Sequence, residues 1–416
     1  MNTIKIKVRK FGPLENVVFE MAPLMILTGK SNLGKSYANY LIYYLMSFLV
    51  ETHLRKHLEN LLTDTDFTAE LTTKEMEKEL HKQAKPFMQS FLGYESVECD
   101  VEFELPEREY KIAGKMHDVE LGPDVTNRFL KISVKNLWAY DFPIGNVTFI
   151  ASRMCRDISK DILGLDLEGA MMLPPGKCSL AGSNFSMKKG VSAGMKMYED
   201  FLRDYDYNKA IQADTSRQHI KSANDIFTTL LDGDLVVDKD QEFLSGDDKQ
   251  IPLSAAASSI KELSSLLFYV KNHFSNKAAI CLEEPEAHLH PELQIKVADS
   301  VAVGINNGLT FNITTHSDYF LQRINQLIKL GDLKAKDEKT YEKFIHKYNL
   351  MSESYIDRAN VKSYYFKKEN GKVVVVDTKL NENGIQYTSF SDAVNILQKM
   401  EDDLSDAYYE IEESND

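Results

Sequence analysis

Cysteine is scarce in this chain of 416 residues, and no stretch of it stays apolar for long. The four cysteines lie far apart with no C-x-x-C pair, so the sequence indicates neither a disulfide framework nor a zinc knuckle. The longest apolar stretch, residues 38–50, is shorter than the roughly 20 residues that cross a bilayer. The N-terminus alternates apolar and basic residues as a strand does, so we expect no signal peptide and no membrane segment. These absences predict a cytoplasmic protein.

Positive charge is also in deficit. The chain has 49 lysines and arginines against 63 acidic residues, which gives a net charge of -14. This balance argues against a protein coated in nucleic acid or lying on an anionic membrane, although it leaves room for local basic patches. What the chain does have is an ordinary globular composition, 43% hydrophobic and 27% charged. Its length fits two or three domains, or one large α/β domain with insertions.

The first half of the chain mixes strand and helix patterns. Alternating and apolar runs predict two antiparallel strands over 4–11 and 16–21, and a strand buried on both faces over 23–29. One long helix is predicted over 36–62, buried in its first half and projecting in its second. Thr72 and Glu75 have the spacing of a capping box. Further elements are predicted as a helix over 73–92, strands at 97–105, 108–114, 129–135 and 146–151, and a helical pattern over 196–231.

The second half alternates strands with helices, which predicts a parallel sheet. After short strands from Gly233, the predicted elements are helices over 254–274, 291–306 and 318–330 and strands over 278–282 and 310–314. A charged linker over 331–343 should lead to a hairpin that turns at Asn370-Gly371, and then to a final amphipathic helix from Ser391. The pattern as a whole predicts an α/β fold.

Residues 29–36, GKSNLGKS, match the pattern G-x-x-x-x-G-K-[ST] between a predicted strand and a predicted helix. In such a turn the backbone N–H groups and the helix N-terminus face phosphates, the lysine reaches the β and γ oxygens, and the serine hydroxyl ligates magnesium. We therefore predict ATP and Mg²⁺ as cofactors. The predicted nucleotide-binding residues are Gly29, Lys30, Ser31, Asn32, Leu33, Gly34, Lys35 and Ser36, and Ser36 is also a predicted metal ligand.

Two adjacent carboxylates follow the apolar strand over 278–282. Glu283 and Glu284 come at its carboxyl end, the edge where α/β sheets place their ligands. We predict that Glu283 holds magnesium through water, and that Glu284 orients or deprotonates the attacking water. Taken alone, such a pair is as compatible with a solvated turn, but a P-loop in the same chain favours the catalytic interpretation.

The segment EEPEAHLHP, together with Phe11-Gly12-Pro13, the P-loop and Thr314-Thr315-His316-Ser317, resembles the ABC-type ATPase heads of the SMC-like and overcoming-lysogenization-defect-like AAA families. The resemblance implies a P-loop NTPase fold with a mixed sheet, an antiparallel β-subdomain and a helical insertion. It also implies that Glu284 is the catalytic carboxylate and that His316 senses the γ-phosphate.

These heads also carry a signature segment, similar to LSGGQ or SSG, at the start of the helix before the Walker B strand. Here PLSAAASSIKEL places Ser258 and Ser259 at the serines of the family but Ile260 at the place of a glycine. Because a β-branched residue resists both close backbone approach and a positive φ, we expect engagement of a partner's ATP to be altered. The alternative is an Ala/Ser-rich helix start that binds nothing.

Arg153 falls where these heads often carry an arginine after the strand that follows the insertion. The resemblance implies a role for it near the phosphates or in the dimer contact. The alternative for Arg153 is a surface ion pair.

The resemblance divides the chain into four regions. They are an N-lobe with the P-loop over 1–50, a helical arm and β-subdomain over 51–141, a C-lobe with signature, Walker B and H-loop over 142–335, and a C-terminal hairpin and acidic helix over 336–416. The roughly 215 residues between P-loop and signature show no sustained heptads, which excludes a long coiled coil. The 100 residues after His316 lack the acidic cluster of a Toprim nuclease, so we expect no nuclease in this chain.

This combination resembles the stand-alone ATPase subunits of prokaryotic antiviral systems such as Septu and PARIS. It implies an ATPase that pairs with its own copy around ATP, or forms a higher homo-oligomer, and regulates a separately encoded effector such as a nuclease or Toprim protein. Residues 400–416 hold eight acidic and no basic residues, which indicates either a docking tail for a basic effector or a solvated helix end. Two other hypotheses stay open: a DNA-repair head resembling RecF that binds DNA, and an ATP-bound scaffold that holds an effector inactive with little hydrolysis.

Overall fold

A six-stranded sheet lies at the centre of the computed structural model. The structure describes residues 1–62, 66–122, 125–135, 137–143, 147–180, 195–210, 233–238, 241–246, 249–273, 277–386 and 388–415. The strands of the central sheet are β3 (Leu24–Gly29), β9 (Gly169–Leu173), β13 (Ala278–Glu283), β14 (Thr310–Thr314), β15 (Val361–Glu369) and β16 (Lys372–Asp377). They lie in the order β16-β15-β3-β14-β13-β9, and every pair of neighbours is parallel except the hairpin of β15 and β16.

Successive side chains of β3 enter two different hydrophobic cores, one on each face of the central sheet. Met25 and Leu27 belong to one core, and Leu24 and Ile26 belong to the other. Because both faces are covered, the strand is apolar over Leu24–Leu27 instead of alternating with polar residues. Burial on both faces thus explains the apolar sequence that leads into the P-loop.

Helices supply the other side of both cores. In chain order they are α1 (Lys35–Val50), α2 (Thr52–Leu61), α3 (Thr73–Leu92), α4 (Val147–Leu163), α5 (Lys177–Leu180), α6 (Lys196–Ala210), α7 (Ser258–His273), α8 (Pro291–Asn306), α9 (Asp318–Lys336), α10 (Glu338–Lys347) and α11 (Thr388–Asn415). Helices α1, α3 and α4 contribute to the core that holds Met25, whereas α7, α8 and α9 contribute to the core that holds Leu24. Within the ranges given above, no helix has the length and apolar character needed to cross a bilayer.

The described residues also form three smaller antiparallel sheets. One is formed by β1 (Lys5–Phe11), β2 (Leu14–Glu20) and β5 (Cys99–Glu104), in the order β2-β1-β5. A second contains β4 (Phe67–Thr72), β6 (Glu109–Gly122), β7 (Val125–Val134) and β8 (Trp138–Pro143) in that order, and a third contains β10 (Asp234–Asp238), β11 (Gln241–Gly246) and β12 (Lys249–Pro252). Short 3-10 turns lie at Leu253–Ala255 and Arg358–Asn360.

The predicted fold class is confirmed. The chain has an α/β fold with a mixed central sheet, a separate antiparallel β-subdomain and helices inserted between the P-loop strand and the next strand of that sheet. The capping box at the start of α3 forms as predicted, since Thr72 and Glu75 bond each other's backbone N–H groups. The hairpin turn at Asn370-Gly371 is also present, and both residues have positive φ.

The long helix predicted over 36–62 is wrong in one respect: it breaks at Glu51, where φ is -122° and ψ is -95°. The Glu51 carboxylate accepts a hydrogen bond of 2.8 Å from the backbone N–H of Ala170 on β9. After the break α2 packs on α4 and does not project, and it buries Leu54 and Leu58. The break thus comes from a partner 119 residues away, which local helix propensity does not reveal.

The strand predicted over 146–151 is wrong, because residues 147–163 form α4. The buried residues of this helix include Ile150, Met154, Ile158 and Ile162, which recur every four residues along one face. The short apolar run at the start of α4 has the same composition as a strand, and only the longer repeat distinguishes the two.

Other boundaries also differ. The charged linker predicted over 331–343 is wrong, because α9 continues to Lys336 and the Asp337 side chain caps α10. The helix predicted from 254 begins at Ser258, after a 3-10 turn, and the last helix begins at Thr388 rather than at Ser391. The helical pattern predicted for 211–231 lies outside the described residues.

Candidate functional site

The P-loop turn connects β3 to α1 in a conformation that requires glycine at two places. Gly29 has a φ of 126°, and a Cβ there would lie 2.1 Å from the carbonyl oxygen of Phe366 on β15. Gly34 has a φ of 94°, and a Cβ there would lie 2.8 Å from side-chain atoms of Pro13 and Leu14. The turn between β1 and β2 therefore packs directly under the loop, which accounts for the Phe-Gly-Pro segment that accompanies the P-loop.

The N-terminus of α1 is open to an anion. Its N-cap residue is Gly34, which has no side chain to satisfy the free N–H groups of the first turn. Lys30, Ser31 and Asn32 are exposed along the outer side of the loop, while Leu33 is buried beneath it. A phosphate is the kind of ligand that such a helix start binds.

Lys35 is buried, with 6% of its surface exposed. Its Nζ donates hydrogen bonds to the carbonyl oxygens of Gly29 at 3.1 Å and Lys30 at 2.8 Å. Burial lowers the pKa of the Lys35 ammonium to about 8, although the nearby carboxylates of Glu284, Glu283 and Glu286 oppose this shift. The lysine is thus a cation held inside the loop and poised for an anionic partner.

Glu283 joins three elements at one point. Its carboxylate accepts hydrogen bonds from Ser36 Oγ at 2.7 Å, from Asn39 Nδ2 at 2.8 Å and from Thr314 Oγ1 at 3.0 Å. The residue is 1% exposed, and this burial raises its pKa while the three donors oppose the rise. The cluster brings together the carboxyl ends of β13 and β14 and the first turn of α1, and so places the two predicted metal ligands, Ser36 and Glu283, next to each other.

The oxygen atoms of this cluster fit Mg²⁺. Carboxylate and hydroxyl oxygens are the ligands that this hard cation takes from proteins, and Ser36, Glu283 and Thr314 present such oxygens within hydrogen-bonding distance of one another. A bound cation would also offset the cost of a buried carboxylate, which is visible here as the raised pKa of Glu283.

Glu284 lies beside this cluster but in a different environment. Its side chain is 48% exposed, and its Oε1 is 3.8 Å from Nε2 of His316. The residue has a φ of 45°, which is uncommon for a residue with a side chain, and its N–H donates to the carbonyl oxygen of Thr314 at 3.1 Å. The backbone turn at Glu284 therefore separates the two carboxylates, so that one is buried among donors and the other reaches solvent.

His316 is held next to Glu284 by Glu286. The backbone N–H of His316 donates to Glu286 Oε1 at 2.5 Å. Burial and the positive charge of Lys35 lower the pKa of the His316 imidazole, against the opposing effect of Glu284. At neutral pH this histidine is therefore mostly uncharged, and it can donate one hydrogen bond from one ring nitrogen and accept one at the other.

Ser258 and Ser259 form the first turn of α7, and Ser258 is exposed. Ile260 is partly buried against the core that holds Leu24, and it is not among the described residues with positive φ. The backbone at Ile260 therefore does not take the positive φ that a β-branched residue resists. Whether engagement in trans is altered stays a prediction.

Arg153 lies on α4 and not after a strand. It forms an ion pair of 2.9 Å with Asp157, and its guanidinium lies 5.7 Å from the ring centre of Tyr140. It also lines a cavity of about 560 Å³ together with Glu51, to which no P-loop residue contributes. These contacts fit the alternative of a surface ion pair, and a role for Arg153 at the phosphates stays a prediction.

The strand that follows the insertion in the central sheet is β9, and the basic residue after it is Lys177. Its side chain is 2% exposed, forms an ion pair with the equally buried Glu262 of α7, and donates to the carbonyl oxygen of Glu283 at 2.9 Å. Sequence reasoning missed this pair because it assigned no strand to 169–173. The apolar run GAMML before Pro-Pro-Gly was the available signal.

Two further residues of the cluster were missed as site residues. Asn39 follows Ser36 by three positions, so helical geometry places both on the same face of α1. Thr314 ends β14, the strand parallel to and beside β13. Both positions were therefore accessible to reasoning from spacing and strand order.

A family model described as an AAA ATPase domain matches residues 185–321, about a third of the chain. The matched part contains the signature segment, both glutamates and His316, while the P-loop lies outside it. No curated protein matches the sequence significantly. The match and the geometry of the P-loop together support an ATPase of the AAA type.

Solved structures of SMC head domains are also similar to the chain. They include an SmcHead bound to the C-winged helix domain of ScpA (TM-score 0.39, 12% identity, 91% of this chain and 97% of that chain). They also include the SMC head domain from Thermotoga maritima (0.36, 9%, 91% and 100%) and an Smc head with an extended coiled coil bound to the C-terminal domain of ScpA derived from Pyrococcus furiosus (0.37, 11%, 96% and 98%). At these scores the likenesses carry no argument about this chain, and its fold rests on its own sheet order.

Proposed function

We propose that the chain binds ATP with Mg²⁺ at the P-loop and hydrolyses it. The observation that carries this proposal is the division between two adjacent carboxylates, with Glu283 buried among three donors and Glu284 half-exposed beside His316. The first suits a metal ligand and the second suits a group that must reach water.

Each residue of the site then has a distinct task. Lys35 and the open N-terminus of α1 hold the phosphates. Ser36 and Glu283 hold Mg²⁺, which supplies charge neutralisation of the phosphate oxygens when it is bound. Glu284 orients the attacking water and takes its proton, and His316 contacts the γ-phosphate as a neutral donor.

Replacing Glu284 by Gln tests this assignment. We expect hydrolysis to fall by about 10²- to 10⁴-fold, as the loss of a general base does, while the affinity for ATP is retained because Lys35 and Ser36 are intact. Steady-state phosphate release and equilibrium binding of a fluorescent ATP analogue measure the two quantities. The matched control is Glu292→Gln, which removes a carboxylate with 85% side-chain exposure from the start of α8 and should change neither. Hydrolysis by Glu284→Gln at the rate of the wild type would contradict the proposal.

A second copy of the chain completes the site in this proposal. Ser258 is exposed at the start of α7, where its hydroxyl and the first N–H groups of the helix can meet a phosphate of the partner's ATP. ATP would hold the pair together, and hydrolysis at Glu284 would open it.

The wider role that we propose is control of a separately encoded effector in antiviral defence, within the cytoplasm. Helix α11 supports a partner of basic character, since its described surface exposes apolar residues such as Leu397 and Leu404 among many acidic residues. A nuclease or Toprim protein is the effector class that the resemblance implies.

A second candidate function is an ATP-bound scaffold that hardly hydrolyses its nucleotide. It is favoured by Ile260, which stands at the place of the signature glycine. If Lys35→Ala abolishes assembly with the effector while Glu284→Gln leaves the activity of the complex unchanged, the nucleotide is structural and the scaffold is the better description.

A further inference from the structure

A buried ion pair connects the signature helix to the catalytic turn. Glu262 lies on α7 one helical turn after Ser258, and its side chain is 2% exposed. It pairs with Lys177, which is buried to the same extent at the start of α5. The pair therefore lies in the interior, between an exposed helix start and the carboxyl end of β13.

Lys177 reaches the catalytic turn directly. Its Nζ donates to the carbonyl oxygen of Glu283 at 2.9 Å, and this oxygen belongs to the peptide group that joins Glu283 to Glu284. On the other side of that peptide group, the N–H of Glu284 donates to the carbonyl oxygen of Thr314 at 3.1 Å. Both polar atoms of one peptide are thus fixed, immediately before the residue with a φ of 45°.

The contacts of Lys177 with Glu262 and with the Glu283 carbonyl fix the direction of a peptide group as well as filling the interior. A buried ion pair is on average no more stabilising than apolar residues of similar volume, so stability alone gives weak reason for one here. A carbonyl held by a buried cation does, however, fix the direction of its peptide group, and with it the direction in which the Glu284 side chain leaves the backbone.

We propose that Lys177 is a positioning residue which, through Glu262, couples the start of α7 to the orientation of Glu284. The inference rests on the proposed function, because it assigns the start of α7 to contact with a second copy of the chain. A displacement of α7 on contact with the partner's ATP moves Glu262, and the ion pair passes this movement to the peptide group before Glu284. Hydrolysis then responds to pairing without any change at the P-loop.

The test removes the pair without leaving a buried charge alone. Single substitutions at Lys177 or Glu262 strand one ion in the interior and are expected to impair folding. The double variant Lys177→Met/Glu262→Met replaces both by apolar side chains of similar length. The matched control is Arg323→Met/Asp299→Met, which removes another largely buried pair, at 2.7 Å between α8 and α9, while the bond from Lys177 to the Glu283 carbonyl is kept.

Amide hydrogen exchange gives a measurement that does not depend on hydrolysis. In the nucleotide-free protein, we expect the exchange of the Glu283 and Glu284 amides to become about tenfold faster in the Lys177/Glu262 variant, as the loss of a hydrogen bond from a charged donor does. The Arg323/Asp299 control should exchange there as the wild type does. Unchanged exchange in the double variant would overturn the inference, even if the wild type proves not to hydrolyse ATP.

Kinetics gives the second measurement. We expect kcat for ATP to fall by about tenfold or more, because a misplaced catalytic group costs that much, while KM and ATP-dependent pairing in sedimentation stay at wild-type values. Such a split is not produced by a loss of general stability. An unchanged kcat, or an equal loss of kcat in the Arg323/Asp299 control, would also overturn the inference. If neither the wild type nor any variant hydrolyses ATP, the proposed function fails and the exchange measurement alone decides the coupling.

Discussion

Single buried charges determine how this site responds to pH. The lowered pKa of Lys35 means that the nucleotide-free protein prefers the neutral amine above about pH 8. The sign for stability follows from proton binding: between pH 8 and the ordinary value of 10.5 the unfolded chain binds more protons than the folded one. The burial of Lys35 therefore costs stability below about pH 8, and this cost decreases as the pH rises further.

The affinity for ATP is expected to change with pH in the direction opposite to stability, so that it falls as the pH rises. Phosphates favour the charged lysine, so we expect ATP binding above about pH 8 to be accompanied by proton uptake at Lys35, and its Kd to increase by up to about tenfold per pH unit. Titration calorimetry in two buffers of different ionisation enthalpy counts the protons. At pH 7, where the lysine is already charged, the same measurement should show little uptake by this group. Equal proton counts at pH 7 and pH 9 would contradict the assignment.

At the scale of elements, several residues of the candidate site lie at or just before the start of a helix. Helix α1 has its open first turn at the P-loop, α7 places Ser258 at the surface, and α9 begins directly after His316. Helices α1 and α9 follow the carboxyl ends of β3 and β14, which are parallel neighbours in the central sheet, so the sheet collects these two helix starts at one edge. Helix α7 is connected to the same edge by the Glu262–Lys177 pair, whose lysine bonds the Glu283 carbonyl. The arrangement explains why residues from distant segments meet at Glu283.

The exposed start of α7 leads to a test of pairing. Replacing Ser258 by Arg should leave ATP binding intact, because the residue belongs to no contact of its own P-loop in the described structure. It should weaken ATP-dependent pairing by about tenfold or more, since a long side chain at this position keeps the helix start from approaching the partner's phosphate closely. Sedimentation velocity with the Glu284→Gln background, which keeps ATP bound, measures the pairing.

The control for this substitution is Ser90→Arg, which adds the same side chain to an exposed position of α3. Normal pairing by Ser258→Arg, or an equal loss in the Ser90 control, would show that α7 does not form the contact.

At the scale of the whole molecule, the net negative charge and helix α11 indicate what kind of partner the protein can bind. Along α11 the described apolar residues are more than half exposed in most cases, with Leu397 at 68% and Met400 at 60%. A helix whose described residues expose this much apolar surface is typical of a segment that binds another protein.

We therefore expect the protein, expressed with its neighbouring genes, to reduce phage plating, and a variant without residues 388–415 to lose this protection while its ATPase rate is unchanged. The loss is expected because the helix would no longer hold the effector. Plating efficiency and phosphate release measure the two effects. A milder variant, Leu397→Asp/Leu404→Asp, keeps the helix length and serves as the matched comparison. Protection that survives both changes would assign α11 another role.

The residues that the sequence assigns to the candidate site are mostly neighbours in the structure, while their roles stay predictions. The P-loop, Glu283, Glu284 and His316 come from local motifs, and the structure brings them together at one edge of the sheet. The secondary-structure prediction was wrong at α4, because a short apolar run has the same composition in a strand as in a helix. It was also wrong at Glu51, where a helix ends at a residue bonded to a distant part of the chain.

The sequence by itself determined that this chain has a glycine turn of the P-loop pattern and a strand that delivers two glutamates, because short motifs encode backbone conformation and ligand chemistry locally. Only the tertiary structure decided that Lys177 and Glu262, 85 positions apart in the sequence, hold the peptide group before Glu284. A buried ion pair depends on which strands and helices pack together, and no periodicity in the chain records that choice.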